Sequence, residues 1–196
     1  MARICLPLQE ARRQVRMMAL DSGPRLLIER GVDVPKTLEA GLYLVQPPMI
    51  GAEARSLREH AARQQVPVLV ICREPMTRDG LWPLVAVGPR IFRAKVKPPE
   101  QMERVEDHVT KDRYRGVPTA SWFESSAEAL GDSGFSGLPD VEHPDYRVDD
   151  LLDLLDAHPM HEKLHQWLAE ACRDAEGTAA PTGERRLGFG DDPFGF

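Results

Sequence analysis

The chain has 196 residues and a net charge of −6, and hydrophobic residues make up 42% of it. These values are typical of one globular domain with a tail, and a chain of this length can fold without disulfides or metals. The longest apolar runs, such as residues 66–72, are too short to cross a bilayer, which predicts that the chain does not span a membrane.

The three cysteines, Cys5, Cys72 and Cys172, are widely spaced and form no Cys-x-x-Cys pair. This usage is typical of buried thiols in a reducing compartment. The first residues also lack the long apolar segment of a secretory signal. We therefore expect a cytoplasmic protein, and no motif requires a bound cofactor.

Charge is distributed unevenly along the chain. Residues 1–118 carry 20 Lys and Arg against 14 Asp and Glu, whereas residues 119–196 carry 5 against 17. The first part is therefore basic and the second strongly acidic. This asymmetry predicts either two separate binding roles or an electrostatic contact within the molecule.

The first half of the chain predicts helices around a small sheet. Residues 8–20 form a helical pattern, with Leu8, Ala11, Val15, Met18 and Ala19 as its apolar face and three arginines at the side. A short helix is expected over residues 24–30, after a proline. Apolar runs at 41–45 and 66–72 flank a helix-forming segment at 52–65, which predicts a βαβ unit with parallel strands at about 41–72.

Two more strands, a charged helix and a loop are predicted over residues 81–146. Residues 81–87 and 90–96 read as two strands, the later one at a sheet edge with one polar face. A charged helix is expected over 100–114. The Gly-, Pro- and Ser-rich residues 116–146 are expected to form a loop, including Gly131–Gly137.

A helical pair closes this part of the pattern. Residues 151–156 and 159–174 read as two helices split near His158 and Pro159, and the leucines of the first lie among Asp149, Asp150, Asp153 and Asp156. Together these elements predict an α/β fold with a small mixed or mainly parallel sheet, flanking helices and an acidic helical pair. We expect a basic core at 1–115, an acidic part at 116–176 packed on that core, and a flexible tail at 177–196.

Cys72 and Arg78 have the Cys-x5-Arg spacing of cysteine-dependent phosphatases, directly after a predicted strand. In such enzymes the thiolate attacks phosphorus, while loop amides and the arginine hold the oxyanions. The intervening residues argue against this role, since the loop has no glycine, Pro75 removes an amide donor and Glu74 would repel the substrate. The spacing is retained as an alternative to a structural hairpin loop.

His158, His161 and His165 have spacings of three and four residues, as on one edge of a helix. Such spacing could hold zinc. The histidines also border the apolar side chains of the same segment, and we expect a structural role with a metal site as the alternative.

Basic residues and an aromatic ring alternate in the predicted edge strand. Arg90, Phe92, Arg93, Lys95 and Lys97 could together stack on and contact a nucleic acid, single-stranded or duplex. The alternative is an edge strand whose charges only prevent aggregation.

The last residues combine rings and carboxylates without a helical or strand period. A segment with no core of its own seldom carries such rings, and an apolar anchor with negative charge suits docking to a basic partner site. The tip resembles the acidic, Phe-terminated tip of bacterial single-stranded-DNA-binding proteins, although two more residues follow its Pro-Phe pair and the rest of the chain does not resemble that family's barrel. The predicted docking residues are Asp191, Asp192, Pro193, Phe194 and Phe196.

These features favour a non-enzymatic accessory or adaptor protein with a basic body that contacts nucleic acid and a tail that docks a protein partner, without membrane contact. The alternative place for the tail is a groove of its own domain. The alternative function is a small α/β enzyme acting on a phosphorylated or nucleotide-like substrate. Its site would lie at the carboxyl ends of the parallel strands, near Gln46–Met49 and Cys72–Arg78.

Overall fold

A computed structural model describes residues 2–106, 114–141 and 143–178 of the chain. The helices are α1 (Ala2–Ser22), α2 (Gly51–Arg63), α3 (Ala120–Ser136), α4 (Pro144–Ala157) and α5 (Glu162–Glu176). The strands are β1 (Pro24–Ile28), β2 (Gly41–Val45), β3 (Val68–Arg73), β4 (Trp82–Val87), β5 (Ile91–Val96), β6 (Met102–Glu106) and β7 (Tyr114–Pro118).

Strands β1 to β5 form one mixed sheet in the order of the chain. Strands β1, β2 and β3 are parallel, and β4 and β5 continue the sheet as antiparallel neighbours. Strands β6 and β7 form a separate antiparallel pair. The predicted α/β class is confirmed, and β2–α2–β3 is the predicted βαβ unit.

Both faces of the sheet are covered, which explains why β2 and β3 read as unbroken apolar runs. Helix α2 packs on one face, and α1 and α3 pack on the other. The α2 face buries Leu26, Tyr43, Val45, Cys72 and Val85, and the opposite face buries Leu42, Leu44, Leu69, Ile71 and Leu84.

The acidic helical pair packs against α1. Helices α4 and α5 contact each other and α5 lies along α1. Their shared core is separate from the two sheet cores, and it explains the leucine pattern that predicts this pair. Its central residues are Cys5, Leu151, Leu154, Leu155, Leu164, Leu168 and Cys172.

Two predicted helices are strands instead. Residues 24–28 form β1 beside β2, where Leu26, Leu27 and Ile28 are buried. Residues 102–106 form β6, paired with β7, although a charged helix was the expectation over 100–114. In both segments pairing with a neighbouring strand outweighs local helix propensity, which is a weak preference.

Residues 116–146, expected to form a loop, instead contain the end of β7, helix α3 and the start of α4, and most of the glycine-rich segment Gly131–Gly137 is helical. Residues 131–136 form the last turns of α3, and only Gly137 lies beyond them, as the C-cap. A Cβ atom on Gly134 would lie 2.8 Å from the ring of Phe92, and one on Gly131 would overlap the ring of His161. The glycines therefore permit α3 to approach β5 and α5 closely, which outweighs their low helix propensity.

Helix α1 is turned differently from the expected orientation. Of the predicted apolar face, Ala19 is buried as expected, but Leu8 and Met18 are 39% and 55% exposed, whereas Arg16, expected at the side, is 8% exposed. Arg16 donates to Glu124 and Glu128 of α3 and to the Met160 carbonyl. Since a buried guanidinium needs such partners, its ion pairs fix which side of α1 faces the body.

We predict that Gly134→Ala lowers the free energy of unfolding by about 1–3 kcal/mol, because the added methyl group displaces Phe92. Alanine would otherwise favour an exposed helix by about 1 kcal/mol. The matched control is Gly137→Ala, where the nearest atom to a new Cβ lies 3.5 Å away. Urea unfolding of both variants tests this, and equal effects would contradict the close approach of α3.

Candidate functional site

Strand β5 presents a row of basic side chains on one face. Arg93 and Lys95 have side chains that are 56% and 59% exposed, and Lys97 is exposed directly after the strand. They belong to alternate positions, about 7 Å apart along the strand. The exposed Ile91 completes the row. We call these four residues the β5 face.

Two acidic residues from the β3–β4 loop pair with this row. Glu74 accepts from Arg93 Nε at 2.9 Å and from Nη2 at 3.0 Å, and Asp79 Oδ2 lies 3.6 Å from Lys95 Nζ. The hydrogen bond to Glu74 raises the pKa of Arg93. Exposed pairs of this kind contribute little stability, so phosphate oxygens can replace the carboxylates.

Two of the five predicted nucleic-acid contacts lie elsewhere. Phe92 points to the opposite face of the sheet, where its ring packs against Gly134. Arg90 forms an ion pair with the fully buried Asp150. The predicted combination of a stacking ring with the cations is therefore not present, and Arg93, Lys95 and Lys97 stay together.

The outer edge of β5 is partly closed by α3. Ser133 Oγ donates to the Arg93 carbonyl at 2.7 Å, and Trp122 Nε1 donates to the Lys97 carbonyl at 3.1 Å. These bonds occupy main-chain acceptors that an added strand would use. The β5 face, rather than its edge, is the part open to a partner.

Cys72 lies in the core between β3 and α2, only 3% exposed. Burial raises its pKa to about 12, and Glu74 and Glu53 add to the shift. Arg78 is exposed in a loop closed by the Thr77 amide, which donates to the Leu81 carbonyl. A thiol in this state is opposite in character to a phosphatase nucleophile.

The carboxyl ends of the parallel strands bring together Gln46 and Arg73, from the two ranges predicted for this edge. Arg73 donates to Gln46 Oε1 from Nε at 2.9 Å and from Nη2 at 2.6 Å, while Gln46 donates to Glu29. The Arg73 guanidinium also lies 4.5 Å from the Trp82 ring centre. The ends of two buried strands thus indicated Gln46 and Arg73, whereas nothing in the sequence indicated Glu29 or Trp82.

The cluster is satisfied internally. Gln46 is 8% exposed, and its oxygen accepts both donors of Arg73. Burial lowers the pKa of Arg73, which Glu29 opposes. A cavity beside β3 and α2 measures about 30 Å³, room for a water or two and far below the volume of a nucleotide site. These observations favour a structural role.

The three predicted histidines lie at the α4–α5 junction rather than along one helix. His158 is the C-cap of α4, His161 is the N-cap of α5, and only His165 is inside α5. His158 Nε2 lies 2.9 Å from the Ala127 carbonyl and His165 Nε2 lies 3.0 Å from the Pro159 carbonyl. Within the described ranges, no group of three His, Cys, Asp or Glu side chains is placed to hold a metal ion.

His161 serves an electrostatic role. Its Nδ1 accepts from the Leu164 amide at 3.2 Å, so Nε2 carries the proton and lies 3.3 Å from Glu128 and from Asp132. The His161 ring, and then Arg16, hold the pKa of Glu128 down to about 2. This cluster ties α1, α3 and α5 together.

The predicted tail residues Asp191, Asp192, Pro193, Phe194 and Phe196 lie outside the described residues. In the described part of the chain, none of the helices is both long and apolar enough to cross a membrane. Comparisons with protein-family models, with curated proteins and with solved structures find no match to this chain.

We predict that iodoacetamide alkylates Cys72 in the folded protein at pH 8 at least about a hundredfold more slowly than in urea. A pKa near 12 leaves very little thiolate at that pH, and the side chain is buried. Peptide mass spectrometry after timed quenching measures the rate. Rapid labelling of the native protein would restore Cys72 as a candidate nucleophile.

We also predict an acid-dependent loss of stability that depends on His158. Burial lowers the pKa of His158 to about 3, below its ordinary value of 6.5. As the pH falls, the unfolded chain therefore binds a proton at His158 before the folded protein does. The contribution of His158 to the free energy of unfolding is complete above about pH 6.5 and decreases as the pH approaches 3, by up to about 1.4 kcal/mol per pH unit.

Urea unfolding between pH 7 and pH 4 measures this slope. His158→Gln should flatten it, and the control His60→Gln, at a position outside the buried helix junction, should alter it less. If the His158→Gln variant keeps the same slope, then protonation of His158 is not the cause of the loss of stability in acid.

Proposed function

We propose that the protein is a non-enzymatic accessory protein whose β5 face binds nucleic acid through its phosphate backbone. The observation that carries this proposal is the row formed by Arg93, Lys95 and Lys97 on an uncovered part of the sheet. Cations spaced regularly along one strand can follow a chain of phosphates.

The composition of the face defines the expected mode of binding. Ile91 is its apolar member, and the Phe92 ring lies on the opposite face. Without a ring available for stacking, phosphate contacts supply the affinity, and these carry no sequence information. We therefore propose binding that depends strongly on salt and little on base sequence.

The paired carboxylates oppose this binding. Glu74 and Asp79 neutralise two of the cations in the free protein, so a phosphate must displace them. Each displaced pair is exposed and weak, and the loss is small compared with a charge-assisted phosphate contact. We therefore expect the β5 face to bind nucleic acid with moderate rather than high affinity.

The adaptor role of the tail stays a prediction from the sequence. A tip at 191–196 that docks a second protein would bring it close to the body, but the proposal for nucleic-acid binding rests on the β5 face alone and does not depend on where the tail lies. The two activities reside in different parts of the chain. They can therefore be tested by separate variants.

We predict that Arg93→Gln combined with Lys95→Gln weakens binding to a fluorescent oligonucleotide at least about tenfold and reduces the salt slope by roughly 1.4 to 1.8. The control pair Lys36→Gln and Arg63→Gln removes the same charge from exposed positions near the C-terminal end of α2. Fluorescence anisotropy at several salt concentrations measures both. Equal losses in the two double variants would mean that only net charge matters.

Removing the opposing carboxylates should act in the other direction. Glu74→Gln combined with Asp79→Asn frees both cations, and we expect affinity for the same oligonucleotide to rise several-fold. Unchanged affinity would show that the β5 face does not contact phosphate.

A further inference from the structure

The exposed side of α1 carries a continuous apolar stripe. It consists of positions four and three residues apart, which lie within one quarter of the helix circumference. Ile4 and Met18 are 68% and 55% exposed, so the described body leaves both ends of the stripe uncovered, and Val15 near its middle is half-buried. The apolar stripe comprises Ile4, Leu8, Ala11, Val15 and Met18.

Helix α5 ends toward the same end of α1 as Ile4. Gln9 Nε2 donates to Glu162 Oε1 at the start of α5, and Cys5 packs with Cys172 near its end. The two helices are therefore antiparallel, and α5 ends toward the first turns of α1. Ile4 lies in those turns.

The remaining chain is long enough to follow the stripe. Residues 179–196 can extend over up to roughly 60 Å, and α1 is about 32 Å long. The last ten of them hold four large apolar side chains around two adjacent carboxylates. These residues are Leu187, Phe189, Asp191, Asp192, Phe194 and Phe196.

The charge beside the stripe is complementary to those carboxylates. Arg12 follows Leu8 by one helical turn and so borders the stripe. Its Nη1 atom is buried without a hydrogen-bond partner among the described residues. Arg12 lines a small cavity with Gln9 and His165, and Asp156 lies close enough to interact with it electrostatically.

We propose that residues 187–196 bind along the apolar stripe of α1 in the same chain, with Asp191 and Asp192 beside Arg12. This assigns the tail to the second of the two places that the sequence left open. A second copy fits the stripe less well, because two antiparallel stripes centred on Ala11 would bring Arg12 close to its own symmetry mate.

Photo-crosslinking of the full chain tests this proposal. Benzoylphenylalanine replaces Phe194, and irradiated protein is digested and mapped by mass spectrometry, using an equal mixture of ¹⁵N-labelled and unlabelled chains. We expect the main cross-links to join the tail to residues 3–19 within chains of a single isotope. Mixed-isotope links would instead indicate a second copy, and links mainly to other segments would place the tail elsewhere. Either result overturns the proposal.

A matched pair of variants locates the contact on the helix. Ile4→Gln with Met18→Gln alters the stripe, and we expect the cross-link yield to fall more than about tenfold. Leu6→Gln with Met17→Gln changes two equally exposed apolar residues on the opposite side of α1 and should leave the yield unchanged. Similar yields in the two variants would overturn the proposal.

A variant in the tail distinguishes loss of the contact from unfolding of the body. Asp191→Asn with Asp192→Asn leaves α1 intact, and we expect the yield to fall several-fold and to lose its dependence on salt. Unchanged yield and salt dependence would remove the predicted contact with Arg12. None of these variants alters the β5 face, so oligonucleotide binding should be retained whatever the tail does.

Discussion

The close approach of α3 to the sheet is the constraint on which the rest of the structure depends. Gly134 brings the helix to contact distance from Phe92, and Gly131 leaves space for the buried His161 ring. At this distance Ser133 reaches the Arg93 carbonyl. The same approach holds Phe92 on the inner face of β5 and leaves the cations on the outer face.

A buried polar cluster then fixes the helices relative to one another. Arg16 of α1 contacts Glu124 and Glu128 of α3, and His161 at the start of α5 lies against Glu128. Arg16 and His161 are buried while Glu124 and Glu128 are 53% and 30% exposed, so removing a carboxylate leaves a buried polar group without its partner, at a cost that solvent reduces. Since these groups require each other, they specify one arrangement of the three helices more strictly than interchangeable apolar contacts would.

The local sequence pattern correctly predicts those elements whose buried positions form a regular apolar pattern along the chain. The apolar runs of β2 and β3 around α2, and the leucines of α4 and α5, each carry enough information to identify their element. The errors share one physical cause. Strand β1, the pair β6–β7 and the glycine-rich end of α3 depend on neighbours that are distant in the chain, and local propensity is weaker than such contacts.

The site shows the same division. The alternation of charge along β5 predicts Arg93, Lys95 and Lys97 on one face, because strand geometry alone decides it. The partners Glu74 and Asp79 come from a separate loop, and the ion pair of Arg90 with Asp150 joins positions 60 residues apart. No spacing rule relates such residues, so only the fold could reveal them.

The orientation of α1 links these points. A helix packed only by apolar burial would turn Ile4, Leu8 and Met18 inward, yet here the ion pairs of Arg16 determine which side faces the body. The ion pairs thus fix one orientation of α1, but they leave apolar surface in contact with water, which is unfavourable by about 25 cal/mol per Å². A helix built in this way gains stability from any apolar segment that covers the exposed side. Residues 187–196, with four large apolar side chains, are the segment that we propose for this role.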